Sequence, residues 1–162
     1  MECSGHGAWR DNGWVDDGCY TAVRIIAEMV ENSKKSGKYF SLSDLIAALE
    51  EPAESVELRC AILAGRERME EVAALAGAAV DEVAKETIDW KVEPVNYEGI
   101  RVRVEGGSGW CMLRPSLHEP IISVQIESDQ IGGAKKIAKI LSDGLQKRLQ
   151  SGLLDLSSFS KL

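Results

Sequence analysis

A chain of 162 residues with 44% hydrophobic content has room for one ordinary domain, or for a domain with part of another, and enough apolar material to bury a core. Its 26 acidic residues outnumber 19 Lys and Arg, for a formal charge of −7, which argues against nucleic acid or an anionic membrane surface as its main partner and makes any anion site a local basic feature. No apolar run approaches the roughly 20 residues of a membrane span and no signal peptide precedes the first motif, so the expectation is a soluble intracellular protein.

The chain opens on a small polar segment, Glu2-Cys3-Ser4-Gly5-His6. From Asp16 and Asp17 the pattern becomes helical: Cys19, Ala22, Val23, Ile26, Ala27 and Val30 recur at spacings of three and four, with Arg24 and Glu28 outward. The two aspartates suit the helix N-terminus, where a carboxylate accepts unpaired N–H groups, and this accounts for them without a metal. After a polar break from 32 to 38, Ser41 and Asp44 form a capping-box pattern for a short helix carrying Leu42, Leu45, Ile46 and Leu49, ended by Pro52. A loop, a strand and two helices are too little for an independent core, so residues 1–53 read as the end of an α/β domain.

Residues 55–63 alternate, with Val56, Leu58, Cys60 and Ile62 on one face and Glu57 and Arg59 on the other, as a half-buried strand should. Residues 66–85 return to helical period through Met69, Val72, Ala73, Ala76, Val80, Val83 and Ala84, a small-residue face suited to packing on a sheet. Ile100, Val102 and Val104 mark a second strand, Gly106-Gly107-Ser108-Gly109 a turn, residues 110–113 a third strand, and Ile122, Val124 and Ile126 a fourth. A last amphipathic helix turns Ala134, Ile137, Ala138, Leu141 and Leu145 inward. The order strand, helix, three strands, helix predicts an α+β domain over 54–150, a mainly antiparallel sheet with helices on one face, followed by a docked or frayed tail at 151–162.

Chemistry concentrates in the turn Arg114-Pro115-Ser116-Leu117-His118-Glu119-Pro120, between two strand-like runs. A guanidinium presents a planar fork of donors that matches phosphate oxygens, and the Ser116 hydroxyl, the His118 ring and backbone N–H groups can fill remaining lone pairs. The four cysteines, Cys3, Cys19, Cys60 and Cys111, lie far apart with only two histidines to help them, so they read as reduced, mostly buried thiols and no metal site is expected. Trp9, Trp14, Trp90 and Trp110 could stack on a sugar, but buried packing is the commoner role of tryptophan, and none is given a site role.

Taken together, the opening segment and this turn resemble the C-terminal part of the α-D-phosphohexomutases, the phosphoglucomutase and phosphomannomutase superfamily. Glu2, Ser4, Gly5 and His6 match that family's sugar-binding Gly-Glu-x-Ser-Gly-His, and Asp16-Asp17-Gly18 resembles the start of its next helix. Arg114, Ser116 and Pro120 match its phosphate loop, Arg-x-Ser-Gly/Asn-Thr-x-Pro, while Leu117 and His118 depart from it in a way most similar to the plant and algal branch, as does the stretch from Pro94 to Val102. The resemblance implies that Glu2, Ser4 and, in second rank, His6 read sugar hydroxyls, and that Arg114, Ser116, Leu117 and His118 bind the phosphate of a hexose phosphate.

In that family a phosphoserine transfers a phosphoryl group to and from the sugar, assisted by magnesium. The phosphoserine loop and the Asp-rich magnesium loop are absent from this sequence, so the chain is expected to be inactive alone, to bind no cofactor itself, and to rely on the missing N-terminal domains of the same enzyme, with Mg in the full-length protein. Met1 stands where the family commonly has glycine, which makes it an expected internal residue. A compartment, cytoplasm or plastid, does not follow. The alternative is a noncatalytic phosphosugar-binding or protein-interaction module on the same fold.

Overall fold

The computed structural model describes residues 6–105 and 109–162. They fall into two compact units, one ending at Glu50 and the other running from Glu51 to Leu162.

In the first unit the Asp17 carboxylate accepts the Tyr20 N–H at 3.0 Å and so starts helix α1, Gly18–Ser36. Gly37, at φ 69°, stops it by returning its N–H to the Ser33 carbonyl, with Lys34 and Lys35 at the negative end of the helix dipole. Asp16 does not share the capping role expected of it. Its carboxylate points back to the preceding loop, and Ala8 and Asp16 form an isolated antiparallel bridge in place of the expected strand. Ser41 and Asp44 do form a reciprocal capping box, but the helix they start, α2, is one turn, Leu42–Leu45.

The apolar stripe of α1 also differs from expectation. Thr21 is the buried residue of the helix, accepting the Trp9 indole N–H at 2.9 Å, with Ile25 and Met29 half-buried on the same side. Val23, Ile26 and Val30 remain exposed, as do Leu42, Ile46 and Leu49. An indole N–H taken from water requires an acceptor, and Thr21 supplies one on the covered side of α1, which is not its most apolar side.

The second unit is an α+β fold. Its strands are β1 (Glu54–Ala61), β2 (Trp90–Val92), β3 (Ile100–Val104), β4 (Gly109–Pro115) and β5 (Ile121–Ser128), joined in the order β1-β5-β4-β3-β2 with every neighbouring pair antiparallel. Helices α3 (Met69–Glu86) and α4 (Gly133–Arg148) cover one face. Strand β2 is the element absent from the sequence reading; three residues are too few to display an alternation. Alternate residues of each strand turn inward: Leu58 and Cys60, Val102 and Val104, Cys111 and Leu113, Ile122, Val124 and Ile126 are all buried. They meet Val72, Ala76, Val80 and Val83 from α3 and Ala134, Ile137, Ala138, Leu141 and Leu145 from α4.

Two details hold this layer together. Gly144 of α4 lies so close to α3 that an added Cβ would stand 2.2 Å from a Val83 methyl, so the helices approach through a missing side chain. At the other end the Glu54 carboxylate accepts the N–H groups of Gly132 and Ala134 at 2.7 and 2.8 Å, tying the N-terminus of α4 to the start of β1 and holding that carboxyl below its ordinary range. The tail is docked, not frayed: Leu153, Leu154 and Phe159 are buried, and the Leu63 and Asp155 N–H groups bond across to Leu153 and Ala61 beside the edge strand β1. Burial pushes the Cys111 thiol up to about 12 and raises Cys60, whereas Cys19 is exposed; Cys3 lies outside the described residues. Among the described residues no helix is long and apolar enough to cross a membrane.

The outer face of the sheet carries the polar half of the alternation. Registration sets Arg103 beside Trp110 and Glu127 in one row, Arg101 beside Met112 and Gln125 in the next, and Arg114, Ser123 and Arg59 in a row at the β4–β5 turn.

Candidate functional site

Arg114 is the penultimate residue of β4, and alternation puts it on the face opposite the helices because Leu113 and Cys111 point into the core. Pro115, which has no N–H to contribute to the ladder, ends the strand at its pair with Ile122. The turn beyond is closed by the Ser116 N–H on the Ile121 carbonyl at 2.9 Å, and the Ser123 hydroxyl bonds the Arg114 carbonyl at 3.2 Å. The base of the turn is therefore held on both sides.

Within the turn the Ser116 hydroxyl accepts the N–H groups of His118 and Glu119 at 3.3 and 3.2 Å. Those two backbone donors are directed at Ser116, while its own O–H proton is available to donate. Leu117 is 89% exposed and His118 is exposed as well. Arg114, Ser116, Leu117 and His118 thus sit on one strand end and one tight turn, which is how the sequence motif grouped them.

Two carboxylates border this turn, and the sequence reading gave neither a role. Glu98, from the loop before β3, places Oε2 3.3 Å from Arg114 Nη1. Glu119 in the turn pairs instead with Arg59 of β1 at 2.7 Å. Arg59 and Arg114 flank Ser123 on adjacent strands, about 10 Å apart by strand spacing, so a second guanidinium stands at the back of the turn. Its signal in the sequence was slight: an arginine on the polar side of an alternating strand is ordinary until pairing shows what lies beside it.

Of the residues assigned to the sugar, Glu2 and Ser4 lie outside the described residues, and His6 belongs to the first unit. His6 Nδ1 is 2.5 Å from Asp16 Oδ2, and the Gly7 N–H donates to Asp16 Oδ1 at 2.9 Å. Those contacts, the Gly7 N–H first and the His6 ring second, hold the Asp16 carboxyl below the ordinary carboxylate value. Asp16 therefore engages both the Gly7 backbone and the His6 ring. No group of three or more His, Cys, Asp or Glu among the described residues is arranged to hold a metal ion.

Comparison with protein-family models and with curated protein sequences finds no match. Among solved structures, the chain is similar to a phosphoglucomutase/phosphomannomutase family protein from Burkholderia thailandensis, with a TM-score of 0.60 and 20% sequence identity over 93% of this chain. At that identity the likeness is one of fold. The chain spans 28% of the length of that protein.

Proposed function

We propose that this chain is the C-terminal portion of a phosphohexomutase, most similar to the plant and algal branch, and that it contributes sugar and phosphate recognition to intramolecular phosphoryl transfer. One observation carries the reading: Arg114 near the end of β4 and Ser116 in the turn that follows, a turn anchored on both sides, lie at the end of a sheet whose fold is that of a phosphoglucomutase/phosphomannomutase family protein. The ordered pair of sequence motifs supports the same conclusion.

In this proposal Arg114 supplies the charge-assisted donors to the phosphate of a hexose phosphate and Ser116 adds its O–H. Leu117 and His118 border the bound ester, and the exposed His118 ring offers a donor where the family more often has a hydroxyl. Glu2 and Ser4 read adjacent sugar hydroxyls, since a carboxylate accepts two such protons and a serine both donates and accepts. His6, steered by Asp16, is a secondary contact. Reading the sugar hydroxyls and clamping the phosphate are two separate contributions to the orientation that phosphoryl transfer demands. The phosphoserine and magnesium belong to N-terminal domains outside this sequence, and magnesium would supply charge neutralisation at the transferring phosphoryl group.

Calorimetric titration of glucose 1-phosphate and glucose 6-phosphate tests the clamp. Arg114→Ala should weaken binding by about 1.5–3 kcal/mol through loss of a charge-assisted contact. An unchanged isotherm removes Arg114 from the site. The transcript sequence upstream of Met1 tests the enzyme: it should encode the phosphoserine and magnesium loops, and an upstream frame without them leaves a noncatalytic phosphosugar-binding module.

A further inference from the structure

We propose that Glu98 is a built-in competitor for the phosphate ester at Arg114, an internal carboxylate that sets the affinity of the site by occupying the guanidinium when no ligand is present. The inference rests on the phosphate-clamp reading of Arg114. Its own support is the way the fold fixes Glu98 in place.

The loop before β3 is tied into one conformation by Asn96, whose side chain donates to the Glu93 carbonyl at 2.6 Å and accepts the Arg101 N–H at 2.9 Å. Gly99, the next residue after Glu98, lies flat against β4: a Cβ there would stand 2.0 Å from the Leu113 carbonyl oxygen and 3.0 Å from the Arg114 Cα. The close backbone approach at Gly99 thus sets Glu98 beside the strand that bears Arg114, and its side chain reaches the guanidinium from there. The carboxylate meets Nη1 at 3.3 Å, while the other acid at the turn, Glu119, is engaged by Arg59 at 2.7 Å. Arg114 is the arginine that Glu98 attends, and Ser116 engages two backbone donors of the same turn.

A phosphate ester arriving at Arg114 meets a carboxylate of like sign on the same guanidinium. It has to displace Glu98 or share the donor with it, and either route lowers affinity and speeds release. The Arg114 side chain is 40% exposed and that of Glu98 is 63% exposed, so the pair is solvent-screened and separable, as a competitor must be.

The test is a titration of inorganic phosphate and of glucose 6-phosphate into the 162-residue chain and its Glu98→Gln, Glu98→Ala and Arg114→Ala variants, with circular dichroism confirming the fold of each. Both Glu98 variants should bind about three- to tenfold tighter, from release of an exposed ion pair together with removal of a like charge. Arg114→Ala should bind at least about tenfold more weakly. If Arg114→Ala weakens binding while the Glu98 variants are unchanged or weaker, the competitor is overturned and the clamp stands. Tightening in Glu98→Gln without tightening in Glu98→Ala also overturns it, because the gain then comes from the new amide donor. If Arg114→Ala binds like the unaltered chain, the clamp itself fails and the competitor with it.

Discussion

Helices α1 and α3 have nearly equal lengths, 19 and 18 residues, and each carries apolar residues at helical spacing. α3 buries Val72, Ala76, Ala79, Val80, Val83 and Ala84 under a five-stranded sheet. α1 leaves Val23, Ile26 and Val30 exposed at 63%, 59% and 46%, and buries Thr21. Periodicity specifies which side of a helix can be covered; only a second layer decides whether it is. The second unit contains that layer within its own span, whereas the described residues of the first offer one long helix, one α-helical turn, a short 3-10 helix at Arg10–Asn12 and loops from which to build it. The contrast agrees with the proposal that residues of the first unit complete a larger α/β domain.

The largest effect should come from cutting the core that α3 and α4 share. Leu141→Ala should cost about 2–5 kcal/mol in urea denaturation, and Ile26→Ala on α1 no more than about 0.5 kcal/mol. Equal losses would break the contrast between the two helices. A full-length protein of the proposed kind would sharpen it, because Ile26→Ala should then approach the cost of a core truncation.

Glycines provide the next comparison. Gly99→Ala forces a methyl against the Leu113 carbonyl, a backbone atom that cannot step aside, and should cost about 1–3 kcal/mol or more while displacing Glu98 from Arg114. Gly37→Ala faces open space and carries the left-handed backbone penalty alone, about 1–2 kcal/mol. Thermal melts rank the two, and a larger loss at Gly37 would contradict the close approach of the β3 loop to β4.

The smallest effect concerns acid. Hydrogen bonds from Gly132 and Ala134 lower the Glu54 carboxyl from its ordinary 4.5 in the folded protein. The unfolded chain then takes up the proton more readily, so this stabilisation is complete above pH 4.5 and is lost as pH falls through the lowered folded value. Glu54→Gln should reduce stability at neutral pH and flatten the acid side of the stability curve for the second unit. Asp16 has the same sign in the first unit, where its ordinary value is 3.8, so Asp16→Asn should flatten the curve of that unit instead. Denaturation followed between pH 3 and 7 distinguishes them, and an acid limb unchanged by either substitution would remove both carboxylates from the account.

The turn at Arg114 was legible because its chemistry is contiguous: an arginine, a serine and prolines in seven residues, bounded by alternating strands. Glu98 and Arg59 were not, since each reaches the turn from another strand or loop and nothing in its own neighbourhood marks it. The same distinction separates Asp17, whose cap is three residues away, from Asp16, whose partners His6 and Gly7 lie across a loop.

By itself, then, the sequence determined the α+β class, the inward faces of β1, β3, β5, α3 and α4, and the caps at Asp17 and Ser41, because strand alternation, helical period and short-range hydrogen bonds depend on near neighbours alone. Tertiary structure decided the antiparallel strand order, the addition of β2, the side of α1 that is buried, and the carboxylate that attends Arg114. Those outcomes depend on contacts between segments far apart in the chain, where register and close backbone approach, as at Gly99 and Gly144, select one arrangement from several the local pattern allows.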